Sequence, residues 1–92
     1  MSQQPDGAFI DAAVQIAFPP DRAELEVEDA DAAVVLKADG GALPLTWLID
    51  GAPIATDGQS REIVWQPSGK GFASLSVIDA KGRADRVTVR LK

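Results

Sequence analysis

Apolar and polar residues alternate in short runs along most of this chain, and clusters of turn-forming residues separate the runs. In the last third, the stretches FASLSVI and DRVTVRL place apolar residues at every second position: Ala73, Leu75, Val77, Val87, Val89 and Leu91. A period of two is typical of a β-strand, whose side chains point in turn to the two faces of a sheet. Because DAKGR between the two stretches is rich in turn residues, we predict a β-hairpin at the end of the domain.

Earlier runs predict further strands. A first strand begins at Val14, where Val14, Ile16 and Phe18 alternate until two prolines stop the run. The segment DRAELEVEDADAA has no apolar stripe at helical spacing, so we predict a turn and a short strand there. AVVLKA and REIVWQ are two more predicted strands, closed by the turns DGG and PSGKG. The sequence therefore indicates six to seven short strands.

The stretch LPLTWLIDGAPI contains one of the two tryptophans. Leu45, Trp47 and Ile49 share one face of a predicted strand, and the following Asp-Gly pair predicts a tight reversal into a brief edge strand at 53–55. Short strands with a turn signal about every ten residues are typical of an all-β fold, an immunoglobulin- or fibronectin-III-like antiparallel β-sandwich. In such a fold a tryptophan on the third main strand fills the centre of the core, so we predict that Trp47 is buried.

The length of 92 residues is that of one domain with one core. Residues 1–12 consist of turn formers and small residues, which predicts a flexible tail or linker, and residues 13–92 form the predicted sandwich. The apolar runs are shorter than the roughly 20 residues that span a bilayer, and no export signal is visible at the start. We therefore expect no direct membrane insertion by this chain, and a larger parent protein if it works outside the cytoplasm.

The formal net charge of −5 argues against nucleic acid as a partner, since phosphates are neutralised by basic side chains. The charge is unevenly spread along the sequence. Residues 1–60 hold two basic residues against eleven acidic ones, and residues 61–92 hold seven basic against three acidic. This asymmetry hints at two surface patches of opposite sign, unless folding interleaves the two segments.

The composition removes most enzyme chemistries. The chain has no cysteine and no histidine, so it lacks thiolate ligands and the commonest general base. The acidic stretch ELEVEDAD, residues 24–31, lacks the spacing of a calcium loop and reads as the solvated side of a strand. No serine has a histidine partner or the S-x-x-K spacing of a serine-lysine nucleophile. We therefore assign no catalytic, metal-binding or cofactor-binding residue.

Two aromatic residues remain as candidates for a binding surface. Trp65 ends a predicted strand just before a Gln-Pro pair, and Phe72 is out of phase with the apolar positions that follow it. Either residue caps one end of the core or is exposed as a binding aromatic. For Trp65 the cap is favoured, because large buried aromatics dominate small cores. For Phe72 both alternatives stay open.

Beyond these local signals, the sequence resembles the C-terminal domain of the penicillin-binding protein 1C family. That family's pattern combines L-x-W-x-[LIV]-[DN]-G, a W-x-P turn and the ending L-x-V-x-D-x-x-G-x-x-x-x-V-x-V. The matching positions are Leu45, Trp47, Asp50, Gly51, Trp65, Pro67, Leu75, Val77, Asp79, Gly82, Val87 and Val89. The stretch IAFPPDRA also resembles the opening strand of that domain, so the resemblance covers residues 14–92.

This resemblance implies a non-catalytic accessory domain at the C-terminus of a class A enzyme of peptidoglycan synthesis. Such a parent has a membrane anchor, a glycosyltransferase domain and a transpeptidase domain, none of which is in this chain. The implied location is the periplasm. The implied partners are the parent's transpeptidase domain, peptidoglycan, or another periplasmic protein, with an α2-macroglobulin-like protein as one possibility.

Two other functions stay open at this stage. A carbohydrate-binding module would expose Trp65 and Phe72 in one plane, whereas a purely structural spacer would expose no aromatic side chain. An enzyme would need a pair of carboxylates in a concave pocket. The function expected from the family resemblance is positioning or regulation of the parent enzyme through protein or cell-wall contacts.

Overall fold

The computed structural model describes residues 13–27, 33–54 and 57–92 of the chain. Eight strands run through these residues: β1 Gln15–Phe18, β2 Glu24–Leu25, β3 Val34–Asp39, β4 Thr46–Ile49, β5 Ala52–Pro53, β6 Glu62–Trp65, β7 Gly71–Ile78 and β8 Ala84–Leu91. The predicted all-β class is confirmed. The count is one above the predicted six to seven, and two of the eight strands, β2 and β5, have only two residues each. The predicted tail, residues 1–12, lies outside the described residues.

The strands form two sheets that pack as a sandwich. One has the order β1-β3-β6 and the other the order β2-β8-β7-β4-β5. All neighbouring strands are antiparallel except β2 and β8, which run parallel with Glu24 beside Arg90. The parallel pair arises because the chain leaves β1 in one sheet and crosses to the edge of the other, where Ala23 and Leu25 accept backbone hydrogen bonds from Arg90 and Lys92.

The core lies between the inner faces of the two sheets. Trp47 is completely buried, which confirms the prediction that its ring fills the interior. The other buried apolar side chains come from both sheets: Val14, Ile16, Val27, Leu36, Ala38, Leu45, Ala73, Leu75, Val77, Val87, Val89 and Leu91. The predicted inward faces of β7 and β8 are thus the observed ones. Their opposite faces are left for solvent or for a partner.

Phe18 departs from the alternation predicted for the first strand. Val14 and Ile16 are buried as expected, but 42% of Phe18 is exposed. The register between β1 and β3 shifts at this point, since Ile16 faces Ala38 whereas Phe18 faces Lys37. Such a β-bulge inserts one extra residue and changes the face to which the next side chain points. The bulge therefore turns Phe18 outward.

The Asp-Gly reversal is confirmed between β4 and β5. Asp50 has a φ of 51° and Gly51 a φ of 85°, the pair of positive values that tight hairpin turns require. The returning strand Ala52–Pro53 lies at the edge of the five-stranded sheet. A proline suits this place because its missing N–H leaves no ladder hydrogen bond unmade.

Candidate functional site

An exposed aromatic side chain stands on the outer face of the five-stranded sheet. Phe72 on β7 lies opposite Arg90 on β8, and Arg90 in turn lies beside Glu24 on β2. Phe72 is 75% exposed, more than any other large apolar residue that the structure describes. The Arg90 guanidinium carbon is 6.0 Å from the centroid of the Phe72 ring, at the outer limit of a favourable cation–π contact.

Glu24 links two cations at this end of the sheet. Its carboxylate accepts a 3.0 Å hydrogen bond from Lys92 Nζ and lies 3.9 Å from Arg90 Nη1. The hydrogen bond from Lys92 and the positive charge of that lysine lower the pKa of Glu24, and the charge of Arg90 adds to the effect. Glu24 is thus an anion at neutral pH, shared between two positive side chains.

The turn before β2 brings a further cation to the same place. The Asp21 carboxylate accepts a 2.9 Å hydrogen bond from the Thr88 N–H, and the Arg22 N–H donates to the Thr88 carbonyl oxygen. These bonds hold Arg22 at a φ of 68°, in the left-handed region that few residues other than glycine adopt. The Arg22 guanidinium has no hydrogen bond or ion pair with the residues that the structure describes.

Two clefts meet at Phe72. The first, which we call the Arg22 cleft, has a volume of about 510 Å³ and is lined by Asp21, Arg22, Glu24, Phe72, Thr88, Val89 and Arg90. The second, the Trp65 cleft, has a volume of about 200 Å³, and its polar lining includes Asp50, Gln66, Ser68 and Lys70. Phe72 belongs to both linings and therefore forms a ridge between the two clefts.

The structure brings together the two aromatic residues that the sequence singled out. Trp65 and Phe72 line the same cleft. Trp65 is half-buried and packs against the core, as a cap does, whereas Phe72 projects from the surface. The two rings are thus not equally exposed, and Phe72 is the one available to a partner. That either residue binds a ligand stays a prediction.

Sequence reasoning did not single out Arg22 or Arg90. The position of Arg90 could have been predicted from the β7–β8 hairpin. Its register pairs Ile78 with Ala84, and six positions further along each strand it pairs Phe72 with Arg90. For Arg22 there was no signal. A non-glycine residue with positive φ is not visible in a sequence, and its position depends on hydrogen bonds to Thr88 in a distant strand.

Asp79, the most buried carboxylate among the described residues, stabilises a turn. Asp79 is 5% exposed and accepts hydrogen bonds from the N–H groups of Ala42, Lys81 and Arg83 and from the Arg83 guanidinium, at 2.9 to 3.1 Å. Burial alone raises the pKa of Asp79, but these hydrogen bonds outweigh it and lower the pKa to about 2. The carboxylate holds the β7–β8 turn against the loop that follows β3.

Some charges of the two sequence segments lie beside each other. Glu24 lies beside Arg90 and Lys92, and Lys37 lies 3.7 Å from Glu62. Glu24 of the first segment thus pairs with basic residues of the second, and Lys37 of the first with an acidic residue of the second. That two surface patches of opposite sign exist stays a prediction. Within the described residues no group of three or more acidic, histidine or cysteine side chains is placed to hold a metal ion. Residues 28–31 of the acidic stretch lie outside the described part.

The described ranges also contain no helix with the length and apolar character that a membrane span needs.

These features define a fibronectin-III-like β-sandwich with an exposed aromatic ridge. Among solved structures, the fold is similar to the fibronectin(III)-like modules of Clostridium thermocellum CbhA, with a TM-score of 0.59 and 19% identity over 85% of this chain and 92% of that one. It is also similar to part of the Bacteroides ovatus protein SGBP-B, of the mixed-linkage glucan utilization locus, solved in complex with a mixed-linkage heptasaccharide. There the TM-score is 0.51 and the identity 23%, over 86% of this chain and 23% of that one. At these identities the likeness concerns the fold alone.

The family is shown by the sequence itself. Residues 5–91 match the model of the Penicillin-Binding Protein C-terminus Family, and this chain belongs to that family. No curated protein gave a match. The resemblance drawn from the motifs is therefore confirmed at the level of the penicillin-binding protein C-terminal domain.

Proposed function

We propose that this chain is the non-catalytic C-terminal accessory domain of a class A penicillin-binding protein of the 1C type, a peptidoglycan glycosyltransferase and transpeptidase. The observation that carries the proposal is the family match over residues 5–91, which takes in almost the whole sandwich. Several residues of the family pattern have structural tasks here. Trp47 and Val89 are buried, and Asp79 holds a turn, so the pattern describes a folding unit rather than a reaction centre.

The proposed location follows from the parent. A class A synthase is anchored in the inner membrane and joins its polymer on the periplasmic side, so its C-terminal domain lies in the periplasm. There the domain positions or regulates the enzyme through contact with the transpeptidase domain, with peptidoglycan, or with another periplasmic protein such as an α2-macroglobulin-like one. Two described surfaces suit such contacts: the Phe72 ridge, and the outer face of the small sheet, where the exposed side chains of Val35 and Val64 face each other.

The second candidate is a carbohydrate-binding module for peptidoglycan. It is favoured by the exposure of Phe72 between two clefts with polar linings. The similar fold in a Bacteroides ovatus protein solved with a heptasaccharide adds an analogy of architecture. The purely structural spacer is less well supported, because a spacer has no use for an aromatic ring that is three-quarters exposed.

An antibody against this chain tests the proposed parent. Immunoprecipitation from membranes of the native bacterium is expected to recover a long polypeptide that fluorescent penicillin labels at its transpeptidase serine. Deletion of residues 13–92 from that polypeptide is expected to leave the labelling in place, because the acylated serine lies in another domain. Recovery of an unlabelled polypeptide, or loss of labelling in a deletion variant that remains folded, would contradict the proposal.

A further inference from the structure

We propose that Phe72 and the two clefts beside it bind a glycan chain that carries carboxylate groups. The polymer we have in mind is peptidoglycan, and this choice rests on the proposed function. The site itself follows from the contacts, exposure and charges of the described residues.

The apolar part of the site is the Phe72 ring. Its exposure of 75% leaves a flat apolar face in water, and covering such a face is favourable in proportion to the area removed from solvent. The C–H face of a sugar ring matches an aromatic ring in size and flatness. Because Phe72 stands between the Arg22 cleft and the Trp65 cleft, a chain with one sugar on the ridge places its neighbouring units in the clefts.

Charged side chains of both signs line the clefts: Arg22, Arg90, Asp21 and Glu24 in the Arg22 cleft, and Lys70 and Asp50 in the Trp65 cleft. The Asp21 and Glu24 carboxylates already accept hydrogen bonds from the Thr88 N–H and Lys92 Nζ. Arg22 lines the Arg22 cleft and Lys70 the Trp65 cleft, and neither side chain has an ion pair with a described residue. The chain as a whole has a formal net charge of −5, so cations with no carboxylate partner among the described residues are notable. A guanidinium binds a carboxylate through two parallel hydrogen bonds, which makes Arg22 the stronger candidate for recognition of an anionic group.

The backbone fixes Arg22 in its place. The residue has a φ of 68°, and its neighbour Asp21 and its own N–H both bond to Thr88. Non-glycine residues in this conformation cost free energy and persist where surrounding contacts hold them, often at ligand-binding sites. Here two hydrogen bonds hold the turn against β8, one position before Val89 in the cleft lining. The backbone of Arg22 is thus held at the edge of the Arg22 cleft before any ligand binds.

Co-sedimentation with two insoluble polymers tests the inference. Purified peptidoglycan sacculi carry free carboxylates on the peptides attached to their sugars, while chitin is a similar amino-sugar polymer without peptides or carboxylates. The 92-residue chain is expected to pellet with sacculi and not with chitin. Raising the salt concentration is expected to weaken the pelleting, because exposed ion pairs are screened.

Four variants locate the site. Phe72→Ala is expected to weaken binding to sacculi about tenfold, as truncation of a central aromatic contact does. Arg22→Asn removes the cation but keeps a residue that tolerates positive φ, and it is expected to weaken binding and to reduce the salt dependence. The matched controls are Phe18→Ala, a partly exposed phenylalanine on the other sheet, and Arg86→Gln, an outward arginine on β8. Both controls are expected to bind as the unchanged chain does.

Three results would overturn the inference: no pelleting of the unchanged chain with sacculi, equal pelleting with chitin, or a Phe72→Ala variant that binds normally. The first would direct attention to a protein partner. These results differ from a failure of the proposed parent. If the chain binds sacculi but the antibody recovers no penicillin-labelled polypeptide, the glycan site is supported and the proposed parent is contradicted. If the antibody recovers a labelled polypeptide but the chain does not bind sacculi, the parent is supported and the glycan site is contradicted.

Discussion

The Asp85 carboxylate on β8 accepts a 2.8 Å hydrogen bond from the backbone N–H of Ile16 on β1, across 69 positions of sequence. The two strands belong to different sheets, so this bond links the sheets along one side of the sandwich. It also gives a partner to an N–H on the free edge of β1. An edge strand with unpaired backbone groups is open to pairing with another chain, and this carboxylate covers one such group.

Replacement of Asp85 should therefore loosen the sandwich. Asp85→Ala leaves the Ile16 N–H without its partner, and we expect the free energy of unfolding to fall by about 1–3 kcal/mol. Chemical denaturation followed by circular dichroism measures the change. Asp39→Ala is the matched control, because Asp39 is exposed and its side chain makes no hydrogen bond or ion pair with the described residues. Equal stability of the two variants would show that the link between the sheets contributes nothing.

Asp79 should make stability depend on pH in the acid range. Its pKa is about 2 in the folded chain, below the ordinary value of 3.8 that it regains on unfolding. A group with a lowered folded pKa stabilises the fold above its unfolded pKa, and that contribution is lost as the pH falls from about 4 to about 2. The melting temperature should therefore fall as the pH is lowered from about 4 to about 2.

The variant Asp79→Asn isolates this contribution. Asparagine keeps the size of the side chain but has no negative charge for the Arg83 guanidinium and the three N–H groups, so we expect a lower melting temperature at pH 7. Because asparagine cannot titrate, we also expect a smaller change in melting temperature between pH 4 and pH 2. A variant with the same pH dependence as the original chain would assign the acid sensitivity to other carboxylates.

Trp47 should be sensitive to truncation and tolerant of one aromatic replacement. Trp47→Ala empties the centre of the core, and the cost expected for a large buried aromatic is about 3–5 kcal/mol. The buried Trp47 Nε1 has no hydrogen-bond partner among the described residues. Trp47→Phe removes this unsatisfied donor while it keeps most of the apolar area, so we expect a clearly smaller loss. Urea unfolding of both variants tests the order, and an unchanged midpoint in Trp47→Ala would contradict the core assignment.

Gly41 and Gly51 offer a comparison at two positive φ values. A Cβ added at Gly41, where φ is 76°, would lie 2.6 Å from Val14 Cβ, whereas one added at Gly51, where φ is 85°, would meet nothing within 4 Å. Gly51→Ala should thus cost about 1–2 kcal/mol from backbone conformation alone. Gly41→Ala should cost distinctly more, because the clash with a buried side chain adds to the same backbone term. Similar melting temperatures for the two variants would show that Val14 moves aside freely.

Some residues of the Phe72 site could be predicted from the sequence, and others could not. Phe72 was visible as an apolar residue out of phase with its strand, and Arg90 was recoverable from the hairpin register. Arg22 was not recoverable. It joins the site only because β2 pairs with β8 and its turn bonds to Thr88, a contact across 66 positions that no local pattern encodes.

The sequence by itself determined the strands, the turns and the buried faces. A period of two and turn residues of special conformation are local properties, so they predicted the β7–β8 hairpin, the Asp50-Gly51 reversal and the burial of Trp47. The tertiary structure alone decided the bulge that turns Phe18 outward, the parallel pairing of β2, and the convergence of two clefts on Phe72. These features depend on the register and crossing of strands that are distant in sequence. That register is set by the joint packing of both sheets around one core, which short-range alternation does not specify.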